Sequence, residues 1–284
     1  MNSTLKHQNL IYDVGMHQGQ DTDFYLKKGF EVLAFEANPA NVDFCKKRFS
    51  KEISEGRLTI VEGGIIELEN WSGNGQKIEF YRNEQTSFWG TTDKEFAYRN
   101  EVMGTHNEKI EIKAVNFRDC LEKYGIPFYL KADIVGSERI CLRALLEFEN
   151  KPDYISIRSE KVIWSNLEEE FDLLERLGYA RFKAVQQDFT DFSVMLNGEK
   201  YTFEEGASGV FAEETSGKWR SKEQVLKDYH RIFTLYWLFG DYSYLLQKQR
   251  GKSFIAQLER IARRPLPGWY DTHAKHSSLS EQPA

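Results

Sequence analysis

The run Tyr12-Asp13-Val14-Gly15-Met16-His17-Gln18-Gly19-Gln20-Asp21 sets an acid just ahead of a glycine turn. Glycines after a strand free the backbone and leave room for a ligand at the carboxyl edge of a sheet. The spacing is G-x-x-x-G, not the G-x-G-x-x-G that brings a helix N-terminus onto a pyrophosphate. Asp13 would repel a pyrophosphate, yet it can accept a hydrogen bond from an ammonium group. Glu36 closes the next apolar run, where an acid can take both hydroxyls of a ribose. A tight turn with a surface acid is the plainer alternative. The strand context and the second acid favour a ligand with a ribose and an amino-acid end. Asp13, Gly15, Gly19 and Glu36, with Ala37 and Asn38 beside the last, therefore suit S-adenosylmethionine better than a nicotinamide dinucleotide. Gly63 and Gly64 follow the third apolar run and are small enough to let an adenine approach, or they simply form a turn.

A second group of residues suits work on an acceptor. Asp133 ends a strand, where α/β sheets bind ligands, and is the first candidate to orient or deprotonate a hydroxyl. Lys131, two residues earlier, shares its face and can pair with it or hold an anion. His17 titrates near neutrality and is a second candidate base, or an exposed loop histidine. Glu138 falls in the first turn of the following helix, where the dipole alone favours a carboxylate. Ser87 and Trp89, within the polar and aromatic run 86–90, are candidate acceptor contacts or part of a surface loop. Asp271-x-His273-x-x-His276 has ligand types for a metal, but in a tail a solvated cluster is the simpler expectation. If the tail folds back over the sheet, His273 becomes a further candidate base.

These residues need a scaffold, and the apolar pattern supplies one. Strands are predicted at 9–14, 31–35, 57–61, 77–82, 109–115, 127–133, 153–157 and 180–186. Helices are predicted at 21–28, 39–54, 117–124, 138–149 and 167–177, with Pro39 in a first helical turn. Strand–helix–strand repetition at this spacing implies parallel pairing. Residues 84–107 read as an excursion over the sheet, and 210–212 as a strand that closes it. Residues 221–247 read as a long aromatic helix with Ser221 as N-cap, and 252–264 as a second helix. The expected organisation is a cofactor domain over 1–215, a helical extension over 216–276 and a disordered tail over 277–284. The extension is expected to pack, to cover the substrate or to join two copies in a homodimer.

Composition narrows the class. With 38 Lys+Arg against 44 Asp+Glu, the net charge of -6 argues against a general polyanion binder. The chain from Leu245 onward is nonetheless net positive, so the remainder is more acidic than the total. Cys45, Cys120 and Cys141 lie far apart without C-x-x-C, so no thiolate zinc site and no disulfide framework are expected. Residues 1–8 have no apolar core of a secretory signal, and the longest apolar stretch, 232–239, is too short to span a bilayer. A soluble cytoplasmic protein with no membrane or nucleic-acid partner is expected.

Three segments resemble the FkbM-type branch of the class I S-adenosylmethionine-dependent methyltransferases. They are Tyr12-Asp13-Val14-Gly15, then Phe35-Glu36-Ala37-Asn38-Pro39, then Leu130-Lys131-Ala132-Asp133-Ile134-Val135-Gly136-Ser137-Glu138. The last is similar to the family motif K-x-D-x-E-G-x-E, and the three together cover roughly 9–190. The resemblance implies an α/β, Rossmann-like, doubly wound, mostly parallel seven-stranded sheet, here with a C-terminal helical extension. It also implies O-methylation of a small-molecule or sugar hydroxyl. Two positions depart from the family. Val135 stands where the motif has its first glutamate, and Arg158 stands where a neighbouring strand commonly carries an acid. Losing two acids makes the site less negative. That points to a changed acceptor, such as an anionic one, or to a module that binds cofactor without turnover.

Overall fold

The computed structural model describes residues 4–187, 192–240, 243, 257, 259–260, 266 and 268–279. The first half alternates as the sequence predicts: β1 (Lys6–Val14), α1 (Gln20–Lys27), β2 (Glu31–Glu36), α2 (Pro39–Arg48), α3 (Ser50–Ser54) and β3 (Leu58–Glu62). Next come β4 (Gly64–Ile65), β5 (Lys77–Asn83), α4 (Lys94–Val102), β6 (Asn107–Val115), α5 (Phe117–Tyr124) and β7 (Ile126–Ala132). The chain continues through α6 (Glu138–Leu145), β8 (Tyr154–Arg158), α7 (Trp164–Arg176), β9 (Tyr179–Gln186), β10 (Ser193–Leu196), β11 (Glu199–Thr202), α8 (Lys222–Phe239) and β12 (Tyr270–His276).

Seven strands form one sheet in the order β3-β2-β1-β7-β8-β12-β9. The first five pair in parallel, and β12 runs antiparallel between β8 and β9. This is a doubly wound α/β sheet with ligand-binding strand ends at one edge. Strand β1 shows why both faces are covered. Tyr12 and Val14 enter the core beneath α5, α6, α7 and α8, whereas Ile11 faces α1 and Phe211 on the other side. A smaller sheet, β4-β6-β5, flanks the edge beyond β3.

Local chemistry sets the element ends. Asn38 Oδ1 accepts from Ala40 N at 3.1 Å, and Pro39 follows it, which starts α2. The single helix expected over 39–54 is two helices, broken at Phe49, which leaves helical geometry at φ -109 and ψ 28. The expected excursion over 84–107 contains α4, capped by Asp93, whose Oδ1 accepts from Glu95 N at 2.7 Å. Helix α8 starts after Ser221, whose N–H donates to Gln224 Oε1 at 3.2 Å, and ends at Phe239. Most of the rest of the helix expected to 247, and most of the one expected over 252–264, lie outside the described residues, as do 280–284.

The C-terminal segment is the main correction. Residues 210–212 do not close the sheet: Phe211 stacks on Tyr129 at 4.6 Å, lying across its face. The closing strand is β12, which also moves the end of the sheet past the boundary expected at 215. Its polar sequence reads as solvated, but the alternation is that of a strand buried on both faces. Tyr270 and Ala274 meet the helices of one face, and Asp271 and His273, each under 3% exposed, turn to the other. Thr272 finds Ser159 and Tyr229 as hydroxyl partners, which lets a polar strand sit in a core.

Candidate active site

The carboxyl ends of β1, β2, β7 and β8 open into one cleft of about 1470 Å³. That exceeds the roughly 300–1,000 Å³ of a single small-ligand pocket and leaves room for two ligands. Its wall includes Gly15, His17, Glu36, Ala37, Asn38, Gly63, Gly64, Ser87, Trp89, Lys131, Asp133, Glu138 and Arg158, all expected from the sequence. Asp13, Gly19 and His273 are absent from it.

Glu36 sits at the end of β2 and is pinned by backbone. Its Oε2 accepts from His17 N at 2.8 Å, and its Oε1 accepts from Asn38 N at 2.8 Å. Burial pushes its carboxyl up to about 7, against the pull of these donors. Oε2, with a single protein partner, keeps an acceptor site for a hydroxyl. A buried carboxylate fixed at a strand end, in a cleft of this size, fits the ribose of an adenosyl cofactor.

Three of the glycines are also required by the protein's own packing. A Cβ on Gly15 would come within 2.1 Å of the Asp133 carbonyl oxygen, so glycine lets β7 close against the turn. Gly19, at φ +84, leaves the space that the Phe49 ring fills, 2.3 Å from where a Cβ would stand. A Cβ on Gly63 would strike the Lys113 carbonyl at 2.4 Å, so backbone packing by itself requires glycine there.

Asp13 corrects the sequence reading. It is fully buried, accepts from Thr22 Oγ1 at 2.6 Å, and lies 3.5 Å from Lys131 Nζ. Strand alternation turns it under the sheet, opposite Lys131 in register, instead of towards the cleft. Lys131 also meets Asp21 at 2.9 Å. Burial alone would lower the lysine, but Asp21, Asp13 and Asp133 outweigh it and hold it well above its usual value. Lys131 therefore does not pair with Asp133. The sequence does not single out Asp21, because an acid in a first helical turn ordinarily faces water.

Asp133 follows β7, with its N–H donating to Val14 O at 2.8 Å, and its carboxylate lies 3.6 Å from Arg158 Nη1. Glu138 accepts from Gly136 N at 3.0 Å, and burial pushes it up to about 7. Val135 takes φ +36, a strained choice for a β-branched residue, with its carbonyl accepting from Thr91 Oγ1 at 3.2 Å. Thr91 thus ties the 84–107 excursion to the motif turn. His17 stacks on Phe88 at 4.1 Å and meets Ser87 Oγ through Nε2 at 2.9 Å. Gln20 Nε2 lies 3.1 Å from Nδ1, so both ring nitrogens have partners and burial keeps the ring neutral. His17 reads as a latch between cofactor turn and excursion more readily than as a base.

His273 is corrected outright. It is 2% exposed, meets Gln187 Nε2 at 3.2 Å, and burial pushes it down to about 3. The tail does return to the sheet, but inside it, and the ring faces its interior. Asp271 accepts from the same Gln187 through Oδ2 at 3.2 Å. Among the described residues no group of three or more ligand-type side chains could hold a metal ion. None of the helices described is long and apolar enough to cross a membrane.

A stretch of 69 residues is 39% identical to the ribosomal RNA small subunit methyltransferase H of Oenococcus oeni, covering 24% of this chain. The match spans 22% of that protein, less than a quarter of its length. Among solved structures, a methyltransferase FkbM from Methylobacillus flagellatus is 17% identical with a TM-score of 0.38, covering 66% of this chain and 41% of its own. A precorrin-6y C5,15-methyltransferase from Geobacter metallireducens is 12% identical with a TM-score of 0.35, covering 70% of this chain and 75% of its own. The model of the methyltransferase FkbM domain matches residues 13–180, more than half of the chain. The chain belongs to the FkbM methyltransferase domain family.

Proposed function

We propose that the protein is an O-methyltransferase acting on a hydroxyl of a small molecule or sugar. The family and the fold imply use of S-adenosylmethionine. The observation that carries the reading is Asp133. Its carboxylate lines the same cleft as Glu36, and its backbone packs directly on the Gly15 turn.

When bound, the cofactor supplies an electrophilic methyl group. Glu36 would hold the ribose through its hydroxyls, and the turn after β1 at Gly15 would hold the rest of the cofactor. Asp133 orients the acceptor hydroxyl for in-line attack and takes its proton. Glu138, buried at the first position of α6, shapes the wall behind it. The Ser87–Trp89 segment, latched to His17, screens the cleft from water.

A second reading has its own observation: Val135, strained at φ +36, replaces the motif glutamate. On that reading the pocket binds cofactor without turnover. Calorimetry with S-adenosylhomocysteine and mass detection of a 14 Da gain across a panel of hydroxyl acceptors (one CH₂ per transfer, about 14 Da) separate the two. Binding with methyl gain supports the enzyme. Binding without gain on any acceptor supports the module, and absence of binding rejects both.

A further inference from the structure

Arg158 closes β8 in the wall of the cleft, its side chain 22% exposed. Among the described residues its guanidinium makes no hydrogen bond, and its ion contact is the 3.6 Å approach to Asp133. A guanidinium offers five N–H donors in a planar fork suited to a carboxylate or a phosphate. Here that fork lines the cleft largely unspent.

The other cations of the wall are engaged. Lys131 is held by Asp21 and Asp13. Arg139 donates to Glu169 at 2.7 Å. Arg99 lies over the Phe96 ring at 4.7 Å, and Lys161 over the Tyr236 ring at 4.8 Å. Three carboxyls surround Arg158: Asp133, Glu138, and Asp271, which faces it in register from β12. Burial pushes both Glu138 and Asp271 up, which weakens their hold on the guanidinium. Among the described residues, Asp271 Oδ1 is itself buried without a partner. It backs the arginine without binding it.

Resting on the methyltransferase reading, we propose that Arg158 is an anion subsite, and that the acceptor carries a carboxylate or phosphate beside the hydroxyl presented to Asp133. Neighbouring strands lie about 4.8 Å apart. The acidic group and the reacting hydroxyl must therefore be close on one small framework, as in a sugar acid or sugar phosphate. Binding the anion satisfies the fork and frees Asp133 from its 3.6 Å contact to meet the hydroxyl.

The test titrates D-glucuronate, D-glucose 1-phosphate and D-glucose into the full chain saturated with S-adenosylhomocysteine. At least one charged sugar is expected to bind about tenfold or more tighter than glucose, the worth of a charge-assisted hydrogen bond. Arg158→Gln should erase that preference and leave S-adenosylhomocysteine affinity unchanged, while Arg158→Lys keeps part of it. A preference for glucuronate identifies a carboxylate, and one for glucose 1-phosphate a phosphate. The proposal is overturned if the three sugars bind alike, if none binds, or if Arg158→Gln retains the preference. Failure of S-adenosylhomocysteine itself to bind overturns the methyltransferase reading instead, and this subsite with it.

Discussion

Lys131 and Asp21 form an ion pair at 2.9 Å, with 4% and 3% of their side chains exposed. Asp13 approaches the same ammonium from the neighbouring strand at 3.5 Å. The lysine of the Lys-x-Asp pattern thus holds β1, α1 and β7 together at their common end. The aspartate two residues on is left to face the cleft.

Removing that ammonium leaves two carboxylates buried without a counter-charge. Lys131→Met should cost about 3–5 kcal/mol of stability in urea unfolding. A loss below about 1 kcal/mol would show that the pair does not hold the strand ends. Asp13→Asn in the Lys131→Met background should recover part of the loss.

Glu36 should make cofactor affinity depend on pH. Its carboxyl is pushed up to about 7 by burial, and only the ionised form accepts from both ribose hydroxyls. The affinity for S-adenosylhomocysteine should therefore rise between pH 6 and 8 (the window set by that value). Glu36→Gln should bind more weakly, with a flat profile. A wild-type affinity that is level or falls across this window would remove Glu36 from the ribose site.

Glu138 gives a stability signature of defined sign. Its folded value of about 7 lies above its ordinary 4.5, so folding favours the protonated form. Its contribution is fully present below 4.5 and is lost as pH rises through 7. The stability of wild type relative to Glu138→Gln should fall over that range by up to about 1.4 kcal/mol per pH unit. Parallel curves for the two proteins would contradict this account.

Asp133→Asn keeps the shape and removes the proton acceptor. Turnover should drop by a factor of about 10²–10⁴, the usual worth of a general base. S-adenosylhomocysteine affinity should stay within about threefold of wild type (well under the ~1.4 kcal/mol of a tenfold change). A variant that turns over normally would assign the proton to another group.

Much of this arrangement was legible from residue order. The strand-to-turn pattern around Gly15, the acid ending β2 and the Lys131–Glu138 segment all fall where the cleft forms. They are readable because strand alternation and glycine spacing are local properties. Asp13 and Lys131 were harder to place, since their partner Asp21 is brought to them only by the packing of α1. The tail hides its burial for a related reason. Asp271-Thr272-His273 looks like solvated chain until Gln187 and Ser159, just past β9 and β8, and Tyr229 of α8 satisfy it. Side chains whose polarity is balanced at long range carry no sign of burial in their own neighbourhood.

The position of β12 also sets a timetable for synthesis. β8 and β9 leave the ribosome with nothing between them, and the strand that joins them follows more than eighty residues later. Until then a nascent chain exposes two unpaired edges, each a template for a neighbouring polypeptide. Translation stalled before Tyr270 would leave that gap open for as long as the stall lasts. A product truncated there should partition to chaperones or to aggregates, even with every residue of the cofactor wall already made.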